Sequence, residues 1–160
     1  ISTPFIMNWP SNTSEPRLLH RPAHIVDIGA TIYDAAGARY PDELNGNLLT
    51  PLEGESFLTV FDGAEFIRQS PICWEHEGNR AVRMGDWKLV SEGNTRWELY
   101  NMADDRTELN DLSESEPERV TEMSKVYEDW AGRTGALPWP VGTGGMASPR
   151  PDTKHIHDVD

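Results

Sequence analysis

Apolar and polar positions alternate most regularly between residues 72 and 100. Ile72–His76, Arg80–Met84, Trp87–Ser91 and Arg96–Tyr100 are short segments parted by Gly78-Asn79, Gly85-Asp86 and Gly93-Asn94. Val82 with Met84, Trp87 with Leu89, and Trp97 with Leu99 recur at every second position. That period marks a sheet with one covered face. A two-residue Gly85-Asp86 link with Gly first predicts a type II′ hairpin. Beyond an acidic, turn-rich stretch (101–115) the period becomes helical. Val120, Met123, Val126, Tyr127 and Trp130 form one stripe from about Glu116 to residue 132. Pro117 suits the first turn, and Ser115 with Glu118 predicts a capping box. Leu109 and Leu112 offer a small apolar anchor before it. The pattern predicts an α+β unit, a small antiparallel four-stranded sheet packed on a C-terminal helix.

Upstream, residues 3–9 (Thr-Pro-Phe-Ile-Met-Asn-Trp) predict a short strand ending at Pro-Ser-Asn. Residues 22–36 predict a helix, with Pro22 in its first turn and Gly37 just past its end. Ile25, Ile28, Ile32 and Ala35 would form its inner face. Gly29 inside it costs roughly 1 kcal/mol against Ala, which predicts a close packing neighbour there. Residues 38–71 are irregular, with turn signals at Asn45-Gly46 and Asp62-Gly63 and a short helix expected around Phe57–Phe61. The domain boundaries are therefore placed at 1–71, 72–140 and an irregular tail, 141–160.

Charge and composition narrow the partners. The 160 residues carry 27 acidic against 14 basic side chains, a net charge of −13. This opposes nucleic-acid binding, which needs clustered Lys and Arg, and opposes docking on anionic membrane surfaces. No apolar run approaches the roughly 18 residues of a membrane span. The chain opens Ile-Ser-Thr-Pro without Met and reads as a fragment, so the lack of a targeting signal decides nothing. A single Cys excludes an internal disulfide framework.

Candidate chemistry clusters in Cys73–Val90. Cys73 sits mid-strand with no helix terminus or cation beside it, and reads as a buried structural thiol. His76 ends a strand just before a turn, where scaffolds present functional side chains; a structural hydrogen bond to Glu75 or Glu77 is the other reading. Asn79 and Arg80 follow in the same turn, and guanidinium suits an anionic partner. Arg80, Arg83, Asp86 and Lys88 read as cross-strand charge pairs on a solvated face. Asp104, Asp105 and Asp111 lack the central Gly and terminal Glu of a calcium loop and read as a solvated acidic turn. His155 and His157 in the tail could hold only adventitious metal. No phosphate loop, His-Glu-x-x-His or Gly-x-Ser-x-Gly is present.

Taken in order, Thr3-Pro-Phe-Ile-Met-Asn-Trp-Pro10, His24-Ile-Val-Asp-Ile-Gly29, Arg83-x-Gly-x-Trp-Lys88 and Glu98-Leu-Tyr-Asn101…Asn110-Asp-Leu112 resemble the C-terminal part of a type I sulfatase of the arylsulfatase family. The similarity covers roughly residues 1–140. It implies sulfate-ester hydrolysis by a larger α/β domain of alkaline-phosphatase-like fold, to which residues 1–71 would add a terminal strand and helix. It implies a formylglycine, made from a Cys/Ser-x-Pro-x-Arg motif, and a calcium ion, both upstream. Cys73-Trp-Glu-His-Glu77 does not match that motif, so no catalytic or metal-binding residue is expected in this segment, and the fragment alone should be inert. His76, Asn79 and Arg80 are the residues expected near substrate. The implied partners are a sulfated small molecule or glycan and the remainder of the sulfatase chain; the implied compartment is periplasmic or secreted. Two alternatives remain: a non-catalytic carbohydrate-binding or interaction module, and the C-terminal part of a related phosphoesterase. Burial of Trp74, Trp87, Trp97 and Trp130 would favour the sulfatase, and exposure of several of them the binding module.

Overall fold

The structure is a computed structural model and describes residues 3–13 and 15–139. The tail from 141 onward, with His155 and His157, lies outside the described residues. The chain divides into two compact units, Ile1–Ile72 and Cys73–Asp160.

The first unit is built around helix α1, Ile25–Ala35. It starts three residues later than Pro22, because His24 is the N-cap and its amide donates to Asp27 Oδ2 at 2.7 Å. It stops at Gly37, whose φ of 61° continues no helix and whose amide returns to the Asp34 carbonyl. The expected inner face is split: Ile28 packs against the cluster of Phe57, Val60 and Phe66, but its stripe neighbours do not. Asp27, Ala30 and Thr31 are buried, whereas Ile25 is 75% and Ile32 62% exposed. A Cβ on Gly29 would meet nothing within 4 Å, so the expected close neighbour is absent among the described residues. The close approach is instead at Gly54, where a Cβ would run into the Val26 carbonyl. Residues 3–9 form no strand. No ladder partner lies beside them among the described residues, and Phe5 and Ile6 remain exposed.

The irregular stretch hides a hairpin. β1 (Glu43–Leu44) pairs with β2 (Asn47–Leu48) through Asn45-Gly46, at φ 52° and 81°. Two positive φ values are what a type I′ turn requires. The expected short helix is a 3₁₀ turn, Leu58–Asp62, closed by Gly63. Phe57, Val60 and Phe66 form this unit's core, with Phe57 and Phe66 packed edge to face.

In the second unit, β3 (Ile72–His76), β4 (Asn79–Met84), β5 (Trp87–Ser91) and β6 (Glu98–Asn101) form one sheet in sequence order. Val82, Leu89 and Leu99 stand in register across it, and each is fully buried. Fully burying an aliphatic side chain stabilises by about 1.5–3 kcal/mol. Gly85 at φ 58° followed by Asp86 closes the β4–β5 hairpin as expected. Helix α2 (Pro117–Thr134) lays Met123 and Tyr127 on this face, flanked by Val120, Val126 and Trp130. The capping box does not form: Glu116 is the N-cap without a side-chain bond, and Ser115 Oγ donates to the Leu112 carbonyl. The amides of Ser115 and Glu116 already return to that carbonyl, and Pro117 has no amide to satisfy. Leu112 joins the core; Leu109 is 85% exposed and anchors nothing. No helix among the described residues is long and apolar enough to cross a membrane.

Candidate functional site

The turn between β3 and β4 is tighter than the sequence suggests. Its central residues are Glu77 and Gly78, at φ 51° and 85°, not Gly78 and Asn79. Glu rarely adopts a left-handed backbone, and three hydrogen bonds hold it there. The Gly78 amide donates to Glu75 Oε1 at 2.9 Å, Asn79 Nδ2 to the His76 carbonyl at 3.0 Å, and the Asn94 amide to the Gly78 carbonyl at 3.0 Å. The Gly93 amide also donates to Asn79 Oδ1 at 3.0 Å, so the 92–95 loop is tied to this turn. His76, Glu77 and Asn79 are exposed.

Arg80 does not project with them. It shares the parity of Val82 and so lies on the face that carries α2. Its guanidinium rests over the Trp97 ring, 4.4 Å from the centroid, and 5.6 Å from that of Tyr127. One nitrogen donates to Ser91 Oγ at 2.9 Å. Such stacking with a partly desolvated cation is worth about 0.5–2 kcal/mol. Arg80 thus braces the end of the sheet beneath the His76 turn. Arg119 sits likewise over Trp87 at 4.1 Å.

The expected cross-strand charge pairs are absent among the described contacts. Arg83 stands directly opposite Lys88, a like-charge pair. The repulsion is relieved sideways: Lys88 pairs with Glu108, and Arg83 Nε donates to the Gly85 carbonyl at 3.1 Å. Burial lowers the Arg83 pKa, with Arg106 adding to that effect and Asp86 and Glu108 opposing it.

A recess on the sheet is lined by Val90, Glu92, Thr95, Glu98, Tyr100 and Glu108. Three carboxylates make it hostile to a sulfate ester, since like charges at close range repel. Tyr100 is buried there and donates to Glu98 Oε2 at 2.8 Å. Burial first, and then the Glu98 carboxylate, push its phenol up to about 12. The His76 turn carries two carboxylates of its own, Glu75, whose Oε1 accepts the Gly78 amide, and Glu77, which is exposed.

The three aspartates of the acidic turn are spent on the fold. Asp105 accepts the amides of Leu109 and Asn110, each at 2.8 Å, and the Asn110 bond leads in lowering its pKa. Asp111 accepts the amides of Leu99 and Ser113 and pairs with Arg96. Burial alone would raise the Asp111 pKa, but those bonds outweigh it and the net shift is downward. Asp104 accepts from Asn101 Nδ2. Among the described residues no group of three His, Cys, Asp or Glu could hold a metal ion. Cys73 is buried in the sheet's core cluster. The calcium ion and formylglycine implied by the resemblance therefore find no seat among the described residues. Trp74, Trp87, Trp97 and Trp130 are all half-buried, between the two expectations set for them.

One polar centre escaped the sequence reading. Asp27 is fully buried in the first unit and pairs with buried Arg68. It also accepts the amides of His24 at 2.7 Å and Glu55 at 2.8 Å, while Arg68 Nη2 donates to the Glu53 carbonyl at 3.0 Å. Thr31 Oγ1 accepts the Phe57 amide at 3.1 Å. The Glu53, Glu55 and Phe57 backbone bonds clip the 53–57 loop onto α1 while the His24 amide caps the helix, which makes the centre a brace.

Comparison with known proteins places these features in a family. Residues 1–129 match the family described as N-sulphoglucosamine sulphohydrolase, C-terminal. An uncharacterized sulfatase of Schizosaccharomyces pombe is 25% identical over 147 residues, 88% of this chain and 26% of that protein. The crystal structure of Ps i-CgsB aligns with a TM-score of 0.57 at 26% identity, covering 71% of this chain and 25% of that one. The same protein in complex with k-i-k-neocarrahexaose aligns at 0.53 and 27% identity, covering 67% and 24%. BT4656, in complex with its substrate D-glucosamine-2-N,6-O-disulfate, shares the fold at 19% identity and a TM-score of 0.50, covering 70% and 24%. The chain spans about a quarter of the length of the relatives it matches.

Proposed function

The chain belongs to the N-sulphoglucosamine sulphohydrolase C-terminal family and is a C-terminal sulfatase region, and from that premise we propose that it serves as scaffold and one cleft wall of an enzyme that hydrolyses sulfate esters of glycans. The observation that carries the reading is the family match over residues 1–129 in a chain a quarter the length of its relatives. The glycan substrate is supported by the ligands named for Ps i-CgsB and BT4656. In this reading, residues 1–71 complete the α/β domain and 72–140 form the subdomain bordering the cleft. The outward face of α1 supports the first assignment. Ile25, Gly29 and Ile32 lie together at helical spacing, and the two isoleucines stand in solvent. Two exposed isoleucines on a helix that buries Asp27 call for a further apolar surface against that side.

When bound, the formylglycine and calcium would supply nucleophile and charge neutralisation from elsewhere in the enzyme. This chain's own contribution is binding and orientation. His76 stands exposed on a turn pinned by Glu75, Asn79 and the 92–95 loop, which suits a donor held toward a sulfate oxygen or a sugar hydroxyl. Asn79 shares that turn, and Arg80 stiffens it from below.

The isolated chain should not turn over an aryl sulfate, with or without calcium; measurable turnover would refute the inert-scaffold reading. In the full-length enzyme, His76→Ala should lower kcat/KM by about 10–100-fold, the loss of one hydrogen bond to a charged group. The melting temperature should stay unchanged. An unaltered kcat/KM returns His76 to a structural role. Preference for a phosphate monoester over the sulfate ester would move the whole chain to the phosphoesterases.

A further inference from the structure

We infer that Trp139 is a sugar-stacking residue that sets glycan preference beside the His76 turn. This rests on the sulfatase reading above and adds a recognition role to a residue outside the matched stretch, which ends at residue 129. Trp139 follows α2 and returns to the far end of the sheet. Its ring lies against Gly78, where a Cβ would stand 3.0 Å from the indole Cδ1. A side chain at Gly78 would crowd the ring, the φ of 85° favours glycine there as well, and Gly78 is buried. The Trp139 carbonyl accepts Asn94 Nδ2 at 2.6 Å, which ties the residue to the 92–95 loop as well. The backbone of Trp139 is thus tied to the loop and its ring is laid on Gly78, while the residue remains 43% exposed.

Nearly half of the Trp139 surface stays open once its ring is laid on Gly78. Indole offers a flat apolar face to the C–H-bearing face of a pyranose, and holding it still in advance lowers the entropy cost of binding. The surrounding turn supplies what a sugar ring also needs at its edge. His76 and Asn79 are exposed polar side chains on the same turn that Trp139 covers. The acidic recess, which shares Glu92 and Thr95 with the loop tied to this turn, lacks an indole among its lining residues. The chemical class that fits is a neutral pyranose ring next to the sulfated one, so Trp139 would act on oligosaccharides and not on a lone sulfated monosaccharide.

The test uses full-length enzyme with two substrates, a sulfated monosaccharide and a sulfated oligosaccharide. Trp139→Ala should raise KM for the oligosaccharide about 5–10-fold with kcat little changed, the scale of one aromatic stacking contact. The monosaccharide KM should not move, and Trp139→Phe should restore most of the oligosaccharide affinity. Equal losses on both substrates would mean that Trp139 only props the turn, which overturns the inference. No loss on either substrate overturns it too. If the parent enzyme hydrolyses neither substrate, the sulfatase reading fails, which is a distinct result from a parent that is active and indifferent to Trp139.

Discussion

The buried pair of Asp27 and Arg68 makes the sharpest stability prediction. Asp27 is 0% and Arg68 7% exposed at the side chain, so neither charge reaches bulk water. Removing one partner of such a pair costs about 3–5 kcal/mol, because the other charge stays buried. The two single variants should differ within that range. Arg68→Met leaves a carboxylate that still accepts the His24 and Glu55 amides, so it should fall near the lower end. Asp27→Asn leaves a buried guanidinium with only the Glu53 and Ser70 carbonyls among its described partners, and it sets an amide NH₂ where a backbone donor expects an acceptor. It should fall near the upper end. The double variant carries no buried charge and should lose only about 1–3 kcal/mol, for one unsatisfied amide. The coupling energy should therefore exceed about 2 kcal/mol. Native-state hydrogen exchange at the amides of Ala30 and Thr31, read by mass spectrometry on each variant, isolates the first unit from the second. Strictly additive single losses, or losses below about 1 kcal/mol throughout, would refute the claim that this pair clips the loop to the helix.

Two glycines in the same unit should respond in opposite directions. Gly54→Ala drives a Cβ into the Val26 carbonyl and should destabilise by about 1–3 kcal/mol, whereas Gly29→Ala meets open space and should stabilise α1 by about 1 kcal/mol; urea denaturation of both reads the sign. Tyr100, raised by burial and Glu98 to about 12, should be the late-ionising phenol among four tyrosines. Because its folded pKa lies above the unfolded value, its stabilising contribution is whole below about pH 10 and is lost as pH climbs from about 10 to 12. The absorbance difference between the parent and Tyr100→Phe should titrate in that upper range, and a midpoint near 10 would show that the phenol is solvated.

The second unit was readable because its determinants are local. Period-two alternation set the strands, Gly85 set one hairpin, and the 3.6-residue stripe set α2, so each element's signal lay within its own residues. Even Arg80 was legible in hindsight: it shares parity with Val82 and Met84, which assigns it to the covered face with Trp97. Reading every charge as solvated overlooked that a guanidinium can lie flat on an indole. The His76 turn was misplaced by one residue for a different reason. Glu is a poor occupant of a left-handed position, so local preference favoured Gly78-Asn79. What fixes Glu77-Gly78 is partly local, the Glu75 and Asn79 side-chain bonds, and partly distant: Gly78 receives the Asn94 amide at its carbonyl and the Trp139 ring on its face. Trp139 itself could not be read as part of the site, since no pattern links it to Gly78.

Helix α1 fails as a prediction in the way that carries most about function. Apolar periodicity names a stripe but not the side on which the core lies. Here Ile28 keeps to the core while Ile25 and Ile32 face out, because Asp27 and Thr31 are drawn inward by partners 28 and 26 residues downstream, the amides of Glu55 and Phe57. Arg68 joins them from 41 residues away. Burying a charge while exposing isoleucine is the wrong arrangement for a unit that ends at its own surface, since each apolar side chain left in water forgoes about 1.5–3 kcal/mol. It is the right arrangement for a helix held between two layers, with its polar side clipped to a loop and its apolar side laid on a sheet. The second unit shows no such inversion: Val82, Leu89, Leu99 and Met123 meet inside it, and charges such as Arg80 and Arg119 are stacked at its rim. The two halves therefore play different parts. The second carries its own core and holds the His76 turn by hydrogen bonds, while the first leaves Ile25 and Ile32 uncovered, as the proposed packing against a larger α/β layer requires.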